Sequence, residues 1–114
     1  MNTKQEVEKF LEDIKVKIST GVLKLSFLDD RGKNAQALLD LDITPNMRLE
    51  VIMKLKAEDF YRTEEGKFFG KFEMHSFGKM VKNNEVYIKI SKTDNGIICI
   101  SFHKSEFPIK YSFK

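Results

Sequence analysis

The stretch VYIKISKTDNGIICISFH, residues 86–103, constrains this chain more than any other part of it. Val86, Ile88 and Ile90 alternate with Tyr87, Lys89 and Ser91, the period of a half-buried strand. Ile98, Ile100 and Phe102 alternate in the same way with Cys99, Ser101 and His103. Between them, Asp94-Asn95-Gly96 reads as a three-residue hairpin loop with Gly96 left-handed. That loop pairs Ile88 with Phe102 and Ile90 with Ile100, and on the other face Lys89 with Ser101 and Tyr87 with His103. A two-residue Asn95-Gly96 loop would set Ile88 opposite His103. The apolar faces would then no longer coincide. One face of this hairpin is therefore core. The other, carrying phenol, thiol, ammonium, hydroxyl and imidazole groups, is where function is expected.

Upstream of the hairpin the chain reads as helices. Val7, Phe10, Leu11, Ile14 and Ile18 recur at helical spacing over residues 4–19, with Gly21 as the stop. Residues 22–28 read as a strand. A charged loop, Asp29-Asp30-Arg31-Gly32-Lys33-Asn34, follows and is expected to be internally salt-bridged, with Asn34 capping a short helix to Leu41. Thr44-Pro45 is a strong helix start, because threonine accepts from first-turn amides and proline suits the first helical position. That helix is predicted to reach Lys56, burying Met47, Val51, Ile52 and Leu55. A strand begins at Asp59-Phe60-Tyr61-Arg62, residues 63–66 are flexible, and another strand lies within 68–81. Lys82-Asn83-Asn84 turns into the hairpin, and residues 107–114 are extended, since Pro108 disfavours helix. The pattern predicts an α+β domain, N-terminal helices packed on a mostly antiparallel sheet.

At 114 residues the chain suits one domain, 1–114. Its longest apolar runs fall far short of the roughly 18 residues of a membrane span, and the polar start lacks a signal-peptide segment. The lone Cys99 has no partner for an internal disulfide. These features predict a cytoplasmic protein with no metal, no cofactor and no membrane partner. The net charge of +3 is mild but uneven: residues 1–61 hold 10 basic and 11 acidic groups, residues 62–114 hold 10 and 6. The sheet half is the basic half, as an anionic ligand would require, although solvated surfaces also carry such an excess.

On the polar face His103 can take or give a proton near neutrality. An imidazole at a strand end is also an ordinary surface group. Tyr87 and Lys89 project from the same face, where lysine can hold a phosphate and tyrosine can stack on a base. Tyr61-Arg62 is a second aromatic–cation pair, with Arg62 suited to bidentate phosphate contact. Ser101 joins this face as a candidate substrate contact. His75, between Met74 and Ser76, reads as structural or solvent-facing, with a substrate contact as its functional alternative.

Glu58-Asp59-Phe60-Tyr61-Arg62, then Glu85-Val86-Tyr87-Ile88-Lys89-Ile90, then Ile100-Ser101-Phe102-His103 resemble the motifs of MqsR-type toxins of bacterial type II toxin–antitoxin systems. The stretches DDRGKNAQALLDLDITPNMRLEVI and SFHKSEFPIKYSF resemble a divergent Bacteroidetes-type branch of that family, extending the likeness over nearly the whole chain. The resemblance implies a RelE-like fold and a metal-independent messenger-RNA endonuclease, acting on free or ribosome-bound RNA and restrained by a cognate antitoxin protein. It assigns active-site positions to Arg62, Tyr87 and His103. The family's glutamine position falls near Met74 or His75, neither of which is glutamine. Lys89, Tyr61, Ser101 and His75 are the expected substrate contacts. A non-catalytic RNA- or ribosome-binding module and a protein-interaction domain are the other readings of a basic, aromatic sheet face.

Overall fold

The computed structural model describes residues 3–29, 32–65 and 73–114, with the side chain of Glu65 outside the description. Helices α1 (Lys4–Ser19), α2 (Gly32–Asp40) and α3 (Pro45–Met53) accompany strands β1 (Leu25–Phe27), β2 (Phe60–Glu65), β3 (Glu73–Val81), β4 (Asn84–Lys92) and β5 (Ile97–Lys104). The strand order is β1-β5-β4-β3-β2, with β1 parallel to β5 and every other pair antiparallel. The expected α+β architecture, helices on a mostly antiparallel sheet, is the one found.

Local chemistry explains most boundaries. Thr3 and Glu6 form a reciprocal capping box at the start of α1, and Gly21, at φ +76, lies just past its end. Thr44 and Pro45 begin α3 as expected, but the Thr44 side chain makes no capping hydrogen bond, and the helix stops at Met53 rather than Lys56. Lys82 and Asn83 both take positive φ, so the β3–β4 turn is a two-residue hairpin turn of the kind that matches strand twist. The strand expected over 22–28 is only three residues long. Of the strand expected within 68–81, residues 68–72 lie outside the described residues, as does Gly66; residues 63–65 continue β2.

The helices cover one sheet face. Val7, Leu11 and Ile14 of α1, Ala37 of α2 and Ile52 of α3 pack with Phe60, Phe77, Val86, Ile88, Ile90 and Phe102 in one buried cluster. Residues such as Phe77 and Ile88 are fully inaccessible. Burying a side chain of this size stabilises by about 1.5–3 kcal/mol each.

The central hairpin departs from its predicted register in one place. Tyr87 pairs with His103, Ile88 with Phe102 and Lys89 with Ser101, as expected, but Ile90 pairs with Cys99 instead of Ile100. A bulge lies between these pairs, and the loop closes at Lys92–Ile97 with the Thr93 hydroxyl accepting from Asn95 and Gly96. Gly96 is not left-handed; among the described glycines that conformation belongs to Gly21. The extra residue reverses the alternation below the bulge. Ile97 and Cys99, not Ile98 and Ile100, therefore join the main core cluster, Ile100 being buried outside it, and Cys99 leaves the polar face. Burial pushes its thiol pKa up to about 12.

Asn34 holds this bulge and is not a helix cap. It is buried within α2, and its amide donates to the carbonyls of Leu28 and Ile100, both at 2.8 Å, while its oxygen accepts from Phe102 N–H at 3.1 Å. Of the charged loop before it, Asp30 and Arg31 lie outside the described residues, and Asp29 and Lys33 reach partners elsewhere in the chain. Asp29 accepts from both terminal nitrogens of the buried Arg48, whose guanidinium lies 3.9 Å from the Phe27 ring centre, and Lys33 pairs with Glu106.

Candidate functional site

Two bulges and the C-terminal tail build the sheet face opposite the helices. In β2, Phe60 pairs with Phe77 and Arg62 with Ser76, leaving Tyr61 as the extra residue. Phe60 thus stays in the core while Arg62 turns to the Ser76 side. Across the sheet, Arg62, Ser76, Lys89 and Ser101 form one row of paired positions, and Gly78, Tyr87 and His103 the next.

The tail lies over this second row. Ile109 N–H and Tyr111 Oη donate to the two carboxylate oxygens of Glu85, at 3.1 and 2.9 Å. Burial first, then the Glu85 carboxylate, raises the Tyr111 pKa. Ser112 bonds the carbonyls of Phe60 and Tyr61, and Phe113 stacks on Phe60 at 5.7 Å. A side chain at position 78 would meet Tyr111 Oη at 2.5 Å and Ile109 Cδ1 at 2.6 Å, so glycine there admits the tail.

Tyr87, Lys89, Ser101, His103, Glu106 and Phe107 surround a shallow concavity of about 230 Å³. The Tyr87 and His103 rings stack with centres 5.8 Å apart and planes at 13°. The Tyr87 hydroxyl is shared with Ser76 Oγ at 2.9 Å, and the residue is only 7% exposed, so it presents a ring rather than a free hydroxyl. His103 Nδ1 lies 2.9 Å from the Lys104 carbonyl. A carbonyl only accepts, so Nδ1 carries the proton and Nε2 is the basic nitrogen of the neutral ring.

Lys89 Nζ lies 5.6 Å from the Tyr87 ring centre and 3.2 Å from Glu64 Oε1. The same oxygen lies 3.4 Å from Arg62 Nε, and the Arg62 guanidinium also stands 4.9 Å from the Tyr61 ring centre. One carboxylate therefore occupies the space between the two cations.

The structure brings Tyr61, Arg62, Tyr87, Lys89, Ser101 and His103 to one face. It does not bring His75 there. His75 alternates with Ser76 onto the helix side, 5% exposed, with Phe10 edge-on at 4.4 Å and Thr63 Oγ1 3.0 Å from Nδ1. Burial lowers its pKa to about 4, with Glu73 opposing the shift. His75 is thus a core-lining group and not a substrate contact.

Sequence reasoning missed Glu64, Ser76, Glu106 and Phe107. Glu64 was recoverable, because it lies two residues from Arg62 in a strand and so shares its face. The tail residues carried no such signal, since their position depends on a chain reversal after β5. Among the described residues, no group of three or more His, Cys, Asp or Glu side chains is arranged to hold a metal ion. No described helix is long and apolar enough to cross a membrane.

No protein-family model matches this chain, and no curated protein matches it significantly.

Proposed function

We propose that this protein is a metal-independent endoribonuclease acting on messenger RNA, the cytoplasmic toxin of a type II toxin–antitoxin pair. The observation that carries the reading is the shared concavity of Lys89, Tyr87 and His103, with a basic Nε2 on His103 and a lysine ammonium on the same wall. RNA supplies its own nucleophile. His103 Nε2 takes the proton of the 2′-hydroxyl, O2′ attacks phosphorus, and the P–O5′ bond breaks as water protonates the leaving oxygen. The products are a 2′,3′-cyclic phosphate and a 5′-hydroxyl end.

Lys89 and Arg62 meet the charge that builds on the phosphorane, the kind of electrostatic stabilisation that dominates phosphate chemistry. Tyr87 positions the imidazole by stacking, since its hydroxyl is held by Ser76. Glu64 is the stand-in anion in the resting protein, displaced by the incoming phosphate.

Inducible expression of wild type and His103→Ala in a bacterial host, with mapping of RNA 5′ ends, tests this. Growth arrest with new 5′-hydroxyl ends in wild type alone is the expected result. Salt-sensitive RNA binding by folded wild-type protein, with intact RNA and normal growth, would instead make the domain a non-catalytic RNA-binding module.

A further inference from the structure

We infer that the exposed ring of Phe107 is a nucleobase-stacking subsite, so that the protein takes single-stranded RNA with an unpaired base beside the bound phosphate; this rests on the proposed function. Phe107 is 42% exposed, the one aromatic among the large hydrophobic residues that are exposed rather than half-buried in the described structure. It stands on the wall of the concavity that holds Lys89, Ser101 and His103. Its ring centre is 5.8 Å from Tyr61 and 5.9 Å, edge-on, from Tyr87. Two aromatic neighbours flank the ring at an angle, and the residue keeps a large part of its surface in solvent.

The backbone that carries the ring is also held in advance. Ser105 Oγ donates to the Phe107 carbonyl and accepts from its N–H, and two residues later Ile109 is anchored to Glu85. A platform ordered before binding loses little entropy when a ligand arrives. Glu106, the nearest acid in the tail, is already paired with Lys33, whose ammonium also holds the Glu106 pKa down. The ligand that fits an aromatic face next to a lysine is one with a flat base and an anionic linkage. A base already stacked inside a duplex offers no free face, which selects unpaired RNA.

The chain contains no tryptophan, so Phe107→Trp introduces a single fluorescent reporter at the subsite. The probes are a 2′-O-methyl oligouridylate, which cannot be cleaved through O2′, and an abasic 2′-O-methyl ribose-phosphate oligomer of the same length. The uridylate should quench the Trp emission and the abasic oligomer should not. Phe107→Ala should bind the uridylate about tenfold more weakly than wild type and the abasic oligomer equally well. Unchanged uridylate affinity in Phe107→Ala with silent Trp emission, while Lys89→Ala loses both oligomers, would overturn the subsite and leave the RNA site standing. Wild-type protein that binds neither oligomer would overturn the proposed function and the subsite together.

Discussion

Glu64 Oε1 lies 3.2 Å from Lys89 Nζ, across β3 from it, and the same oxygen reaches toward Arg62 Nε. Two cations on a sheet face repel one another, and this carboxylate offsets that repulsion while no anion is bound. If the face binds phosphate, the carboxylate competes with it. Glu64→Gln should therefore bind single-stranded RNA several-fold more tightly, with a steeper dependence on salt, because more counterion charge is released. Titration of labelled RNA at two salt concentrations checks this. Equal affinity and equal slope would remove Glu64 from the site.

Asn34 satisfies three backbone groups around the β5 bulge. Replacing it by alanine removes a hydrogen-bond partner from the Leu28 and Ile100 carbonyls and from the Phe102 N–H. Such groups cost about 1–3 kcal/mol apiece when left unpaired, discounted where water can enter. Asn34→Ala should lose about 2–4 kcal/mol in urea unfolding. A loss under 1 kcal/mol would show that the bulge does not depend on this side chain.

Gly78 is the point where the tail meets the sheet. Gly78→Ala drives a methyl group into Tyr111 Oη and Ile109 Cδ1, both otherwise held against Glu85 and the sheet. The expected cost is about 1–3 kcal/mol, together with faster proteolysis of the tail. Unchanged protease resistance at the C-terminus would contradict the packing described here.

His75 makes stability pH-dependent. Its folded pKa, about 4, lies below the ordinary 6.5, so the unfolded chain binds a proton more readily. Stability conferred by the neutral, buried ring is complete above about pH 6.5. It is lost progressively as pH falls toward 4. Urea midpoints measured from pH 7 to 4 should decline in wild type and decline less in His75→Gln. Parallel declines would assign the acid sensitivity to other groups.

Much of this fold was legible because its periodicities are clean. The α1 stripe of Val7, Leu11 and Ile14 and the Tyr87–His103 pairing follow directly from spacing. What periodicity cannot register is an inserted residue. The bulge that reverses Cys99 and Ile100 leaves no mark in an alternating pattern, since isoleucines at 97, 98 and 100 suit either face. Asn34 was misread for a related reason: an asparagine early in a helix caps it locally unless a distant strand needs its amide. His75 sits in a strand whose alternation was hidden by the polar residues around it. The candidate site was legible where it lies on strands and silent where the tail supplies Glu106 and Phe107.

The central claim is that His103 drives RNA cleavage through the 2′-hydroxyl without a metal ion. The most direct measurement incubates purified protein with a structured messenger RNA in excess EDTA and identifies the new ends. The account predicts 2′,3′-cyclic phosphate and 5′-hydroxyl ends from wild type, none from folded His103→Ala, and no cleavage of the same RNA carrying 2′-O-methyl groups. Cleavage by His103→Ala at the wild-type rate, or of the 2′-O-methyl RNA, would contradict it.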